Sequence, residues 1–376
     1  MSRASPTVLE INLAALRENF QLLRNKLSRE VATLAVVKSN AYGHGAVPVA
    51  NALEAAGADR FGVGTLDEGI ALREGGVQKP VLILLGLMEG EPEIVFKGRL
   101  TPVIDRIEEA ERLNRYAAER SERLSVQIKI DSGMTRLGVT AHDWENFWNR
   151  FAKLDHLECD GVMTHLAEAS DPQFTAFQRG IFKERLADLE QRGIRPKWRH
   201  LANSIESLQP VDNLRVRDPC NMVRLGLVLY GAYPLERLRG EIALQPVLSL
   251  KTRVVGIKRV ASGTPVSYNR TFKTARESTI GILPLGYADG FSRLFSNKAS
   301  VLVKGRRVPV VGTVCMDLCM IDLTEVREAA VGDEVVVIGR QGDESIGVEE
   351  LATHSGTIPY EILTSFSTRL NRVFRE

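Results

Sequence analysis

An apolar, partly β-branched run in "LAVVKSNAYGHG" ends on an amine, Lys38, and gives way to a turn-rich stretch holding Tyr42, Gly43, His44 and Gly45. A lysine at a strand end is either a solvated cation or, where its surroundings disfavour the charge, a nucleophile and proton carrier. Other apolar runs also close on reactive side chains. "QIKIDSGMTRLG" brings Arg136, "GVMTHLAEA" puts His165 immediately past its strand, "RHLANSIES" offers Asn203 and Ser204, and "NMVRLGLVLYG" carries Arg224 and Gly226. Ser204 supplies a hydroxyl, and Gly226 lets backbone N–H groups come close to an anion, which together imply a phosphate-bearing ligand. An amine for a Schiff base, an anion pocket and a side chain for a ring nitrogen are the three requirements of pyridoxal 5'-phosphate, and Lys38, Ser204/Gly226 and Arg224 supply them.

These residues need a scaffold that gathers strand ends. Short apolar runs near residues 32–38, 61–65, 81–86, 100–104, 124–130, 158–164, 198–202 and 222–229 read as eight strands. Amphipathic stretches such as "RIEEAERLNRYAAER" and "FQRGIFKERLADLEQRG" lie between them, so the units are βα repeats of a parallel sheet. Eight units point to an α/β fold, a closed (β/α)8 barrel of TIM type whose strand C-termini build the site, over residues 1–239. Before it, "INLAALRENFQLLRNKL" places Leu13, Leu16, Phe20, Leu23 and Leu27 on one helical face behind Asn12 as N-cap. From residue 240 to 376 the pattern changes to strands separated by Gly-rich or charged turns, a second, mainly β domain.

Composition sets bounds on function. The 376 residues are 44% hydrophobic and 26% charged, and 49 basic against 47 acidic residues leave a net +2, which asks for neither nucleic acid nor an anionic membrane. The N-terminus lacks a signal-peptide core and no apolar stretch is long enough to span a bilayer, so a cytoplasmic location is expected. Cys159, Cys220, Cys315 and Cys319 are too few for a disulfide framework, and their spacing offers no metal site.

The chain resembles the alanine racemase family. The resemblance runs essentially end to end, through "VVKSNAYGHG", "DSGMTRLG", "MTHLAEA", "HLANS", "MVRLGLVLYG", "VSYNRTF", "LPLGYADGFSR", "GTVCMDLCMIDL" and "TIPYEILTSFSTRLNRVF". It implies that Lys38 holds pyridoxal phosphate as an internal aldimine and is one acid/base, with Tyr268 the base on the opposite face. Tyr42, Ser204, Gly226, Leu227 and Tyr360 would bind the phosphate, with Asn203 and His165 beside the cofactor and Arg224 at its ring nitrogen. Arg136 and the backbone of Met316 would receive the substrate carboxylate, with Asp317 next to them. The resemblance further implies a head-to-tail homodimer with shared sites, a small amino-acid substrate, and D-alanine supply for peptidoglycan. The sequence departs from the family at Ser39, commonly Ala, and at Asn269, often Gly.

Two-base racemisation fits the chemistry, since one base cannot easily reach both faces of a planar carbon. A phenolate at neutral pH needs nearby positive charge, for which the resemblance suggests His165 and Arg224. In "VQIKID" alternation turns Gln127, Lys129 and Asp131 to one face, so Lys129 points into the barrel near Arg136. There it is expected as a carbamate, as in some relatives, or paired to Asp131. Competing readings are a broad-specificity racemase accepting serine or basic amino acids, a two-domain decarboxylase, and a non-catalytic cofactor-binding barrel. A decarboxylase would keep a carboxylate where Arg224 stands, and a binding barrel would lack the second domain.

Overall fold

The computed structural model describes residues 5–88, 90–208 and 220–376. Two compact units emerge. One comprises Arg17–Ala41 and Ala46–Leu229, and the other comprises the N-terminal segment through Leu16, Tyr42–Gly45 and Tyr230–Glu376.

In the first unit all eight expected strands form: Ala32–Val36, Arg60–Val63, Val81–Ile83, Leu100–Ile104, Leu124–Lys129, Leu157–Met163, Trp198–His200 and Met222–Leu225. From Ala32–Val36 to Trp198–His200 each pairs in parallel with the next, and Met222–Leu225 pairs in parallel with Ala32–Val36. The ring closes where Asn221 N donates to Arg199 O (3.0 Å) and Arg224 N to Ala202 O (3.1 Å). Helices such as Ile107–Glu119 and Pro172–Gln191 connect the strands. Closure satisfies both edges of the sheet and directs every strand C-terminus to one rim. The strand interiors are near-continuous apolar runs because helices cover the outer face, as Val126 and Ile128, both at 0% exposure, illustrate.

The second unit is built on a sheet whose strands lie in the order Arg306–Pro309, Ser300–Val303, Glu334–Gln341, Leu248–Arg253, Val8–Asn12 and Asn371–Arg375. Val8–Asn12 pairs antiparallel with Leu248–Arg253 and parallel with Asn371–Arg375. The contiguous boundary expected at residue 239 is therefore corrected: the N-terminal strand joins the C-terminal sheet, because its alternating Leu9 and Ile11 bury there. Asn12 does cap the helix Leu13–Asn25, its Oδ1 accepting from Ala15 N at 2.9 Å. A three-stranded sheet of Gly256–Val260, Ser278–Leu283 and Cys319–Asp322 and a ribbon of Pro265–Val266 with Phe272–Lys273 complete the unit. No helix among the described residues is long and apolar enough to cross a membrane.

Candidate active site

Lys38 follows the first barrel strand and stands half-buried at the head of an unusual turn. Ser39, Asn40, Ala41 and Tyr42 are all left-handed, with φ of 52°, 53°, 54° and 51°. Each such non-glycine residue costs about 1–2 kcal/mol relative to right-handed backbone, so the turn persists only because neighbours over-determine it. Ala46 N donates to Asn40 Oδ1 at 2.8 Å, Ser39 N donates to Glu68 Oε1, and Ala41 is fully buried. The two glycines that follow have separate reasons within the β unit. A Cβ on Gly43 would lie 2.2 Å from Leu363 O, and one on Gly45 2.8 Å from the Phe374 ring.

Arg224 organises the barrel interior. It is 4% exposed and forks into five acceptors through NH1 and NH2: His200 Nδ1 (3.0 Å), His200 O (3.1 Å), Thr164 O (2.9 Å), His165 Nδ1 (3.0 Å) and Leu201 O (3.0 Å). Its Nε–H takes no part in these bonds. Because guanidinium only donates, both imidazoles must accept at Nδ1 and carry their proton on Nε2. His200 then donates from Nε2 to Gln127 Oε1 at 2.7 Å. Burial and Arg224 hold His165 neutral, its pKa pushed down to about 2, and burial likewise lowers His200. This corrects the expectation that His165 lends positive charge to a phenolate: the cation here is Arg224, and His165 is its neutral partner.

A pH dependence follows. Both histidines have folded pKa values below the unfolded value, so the unfolded chain binds more protons and stability is lost as pH falls below about 6.5. The loss at pH 5 should reach up to about 2 kcal/mol for each imidazole. Thermal melts at pH 7 and pH 5 should show a clear fall in Tm; an unchanged Tm would contradict the neutral pair.

Lys129 is 5% exposed, on the interior face of its strand as the alternation required. Burial, Arg136 and Arg224 press its pKa down to about 8. Burial and Arg136 also lower Lys38. Arg136 itself is exposed on the loop after the fifth strand, where Asp131 Oδ1 accepts from Gly133, Met134 and Thr135 N and Gly138 N donates to Asp105. Asp131 thus serves its own turn.

Ser204 and Gly226 come together at the next two strand ends. Gly226 N donates to Ser204 Oγ at 3.0 Å, so the Ser204 hydroxyl keeps its own proton for another acceptor. Leu227, fully buried, opens the 3-10 turn Leu227–Tyr230. Asn203 is occupied differently, its Oδ1 accepting from Ile205 N and Glu206 N, so it shapes the turn that presents Ser204.

In the β unit, the Tyr42 ring lies 4.9 Å from Tyr230 and 5.9 Å from Tyr360, and His44 stacks on Tyr230 at 4.5 Å. Burial raises the pKa of Tyr42 and of Tyr360, so both phenols stay protonated and can donate to an anion. Tyr268 stands at the tip of the ribbon, 68% exposed. Its carbonyl accepts from Thr313 Oγ1 at 2.9 Å, and Ser267 Oγ donates to Thr313 O at 2.5 Å, bracing the tip against the loop leading to Met316. Asn269 is left-handed (φ 58°), which explains why glycine serves at this place and why Asn, tolerant of that region, replaces it. The Met316 carbonyl accepts from Ala288 N, and a Cβ on Gly286 would lie 2.1 Å from it. Asp317 pairs with Arg369 at 2.8 Å, an anchor for the loop.

Three roles escaped the sequence reading: those of Glu68 and His200, and the bond that Gln127, already placed on the inward face, makes to His200. Glu68 was signalled by the capping box Thr65-x-x-Glu68 at the start of Leu66–Glu74, and the other two by polar residues interrupting barrel strands.

Comparison with known proteins defines the class. Residues 11–234 match the family model "Alanine racemase, N-terminal domain" and residues 247–374 the model "Alanine racemase, C-terminal domain". The barrel, the β unit and these matches together make the protein a racemase, an isomerase. Alanine racemase from Thermodesulfovibrio yellowstonii is 42% identical over 97% of this chain and 96% of its own length. The crystal structure of alanine racemase from Bacillus anthracis with bound L-Ala-P superposes with a TM-score of 0.92 at 35% identity, covering 100% of this chain and 96% of that one. That of alanine racemase from Bartonella henselae, with covalently bound pyridoxal phosphate, gives 0.87 at 28% identity, covering 99% and 100%. The chain belongs to the alanine racemase family.

Proposed function

We propose that this racemase interconverts L- and D-alanine with pyridoxal phosphate on Lys38, using Lys38 and Tyr268 as bases on opposite faces of the substrate. The observation that carries the reading is the Arg224 fork on the strand that pairs with the one leading into Lys38, an amine whose charge is disfavoured. The donor set suits the cofactor. Arg224 keeps Nε–H for a ring nitrogen, Ser204 keeps a hydroxyl proton, and Tyr42 and Tyr360 remain protonated donors for a phosphate together with the backbone of Gly226 and Leu227. When bound, the cofactor delocalises the electron pair left behind as the α-proton departs.

The chain's own groups do the rest. Lys38, its pKa lowered by burial and Arg136, gives up its proton more readily than a free lysine. Arg224 can only donate, so it would keep a ring nitrogen unprotonated and limit charge build-up that leads to side reactions. Neutral His165, its tautomer set by Arg224, presents Nε2–H as a donor. Arg136 and the Met316 backbone would bind the substrate carboxylate, with Asp317 fixing the Met316 loop through Arg369. The exposure of Tyr268 and Met316, 68% and 53%, favours a homodimer in which a second copy covers them and two sites are shared. We place the enzyme in the cytoplasm, supplying D-alanine for peptidoglycan. Alanine is favoured over a broader substrate range because relatives at about 40% identity are alanine racemases.

The test is proton exchange in D2O. Tyr268→Phe should suppress incorporation with one enantiomer as substrate by about 10²–10⁴-fold, the range of a lost general base, while sparing Lys38-dependent exchange with the other. Equal loss in both would refute the two-base scheme.

Lys129 enters as a carbamate. A buried ammonium beside Arg136 and Arg224 is costly, and a pKa near 8 leaves enough neutral amine to take up CO2, which reverses the charge and holds Arg136. Intact-protein mass spectrometry under native, bicarbonate-containing conditions should find one added CO2, absent in Lys129→Ala; an unmodified mass under those conditions would end the proposal.

A further inference from the structure

Resting on the reading of Lys38 as acid and base, we propose that Glu68 is its positioning residue: the carboxylate clasps the backbone that follows the lysine and supplies the negative charge that balances the amine. Oε1 accepts from Ser39 N at 2.5 Å, while Oε2 accepts from Gly64 N at 2.7 Å and Thr65 N at 3.4 Å. Strand Arg60–Val63 is the hydrogen-bonded neighbour of Ala32–Val36, so the carboxylate bridges two adjacent strand ends on the site-bearing rim. Ser39 opens the left-handed stretch, a conformation its own backbone disfavours, and the charge-assisted bond to Glu68 is the side-chain contact that holds its N–H.

The surroundings give the charge a role of its own. A Cβ on Gly64 would lie 3.1 Å from Glu68 Oε2 and 3.8 Å from Lys38 Cβ, which places the carboxylate and the lysine stem against the same spot. Arg136 opposes the charge on Lys38, and Lys38 in turn acts on Lys129 and on neutral His165. Glu68 is the carboxylate that favours the Lys38 ammonium in this cationic setting. A helix cap alone would not need to reach Ser39.

The test compares holoenzyme with Glu68→Gln, Glu68→Ala and Thr65→Ala. Glu68→Gln keeps the size and one oxygen for Ser39 N but removes the charge, so the Lys38 pKa falls further. In the direction where Lys38 is the base, the rise of kcat with pH moves to lower pH. Where it must carry the proton, the fall moves to lower pH as well. The expected displacement is about half to one pH unit, the scale of one charge at a high effective dielectric. Glu68→Ala also frees the turn and lowers kcat about 10–100-fold on the Lys38 face of the exchange assay, with KM little changed. Thr65→Ala removes the other half of the capping box and should leave the profile where it was. An unmoved profile in Glu68→Gln, or an equal displacement in Thr65→Ala, would reduce Glu68 to a helix cap and overturn the inference. Borohydride labelling of the wild type separates the two readings: an unlabelled Lys38 removes the ground for both, whereas a labelled Lys38 with an unmoved Glu68→Gln profile defeats this one alone.

Discussion

Lys38→Ala is expected to lower kcat/KM by about 10³–10⁴-fold or more in both directions of racemisation, since it removes a general acid/base and the covalent anchor together. The same substitution should leave the fold intact. Burial and Arg136 depress the Lys38 pKa in the folded state, so the folded state disfavours its charged form and gains nothing from it. The Tm of the cofactor-free protein at neutral pH should therefore hold or rise slightly. Borohydride treatment should no longer label the peptide spanning residues 34–45. Turnover within tenfold of wild type would remove the central role assigned to this amine.

Arg224→Ala carries the largest expected cost in stability, about 3–5 kcal/mol. It strips the donors from three backbone carbonyls and two imidazole nitrogens at once, and buried acceptors without partners are expensive. Arg224→Lys should recover only part of this, because three donors on one nitrogen cannot reproduce a planar fork. Losing the guanidinium also raises the His165 and His200 pKa values, although burial, the larger cause, remains. The variant should consequently be less stable at pH 7 yet lose proportionally less between pH 7 and pH 5. Chemical denaturation at the two pH values measures both effects. A loss below about 1 kcal/mol would mean that water replaces the fork, which burial of Arg224 argues against.

The barrel was legible because its signal is local and repeated. Eight apolar runs, each followed by helical periodicity, can bury both faces only as a closed parallel sheet. The barrel's candidate site residues were proposed from the same signal, since a polar side chain that ends an apolar strand must surface at the rim. Less was legible where the partner is distant in sequence. Nothing in "TVLEINL" names the strand 371–375 as its neighbour, so the expected domain boundary missed the excursion of Val8–Asn12 into the C-terminal sheet. Glu68 looked like a helix cap, and its reach to Ser39 N depends on two strands lying side by side.

By itself the sequence determined the fold class, the order of the strands around the barrel and the family, because hydrophobic period and ordered motifs are properties of the chain alone. Tertiary structure decided protonation and strain. His165 is neutral because burial and the guanidinium that meets its Nδ1 both disfavour its charged form, and the turn after Lys38 is left-handed because Glu68, Asn40 and the burial of Ala41 outweigh its local cost. Both are set by which groups meet when the chain closes on itself, and the desolvation and hydrogen bonds that result have no counterpart along the sequence.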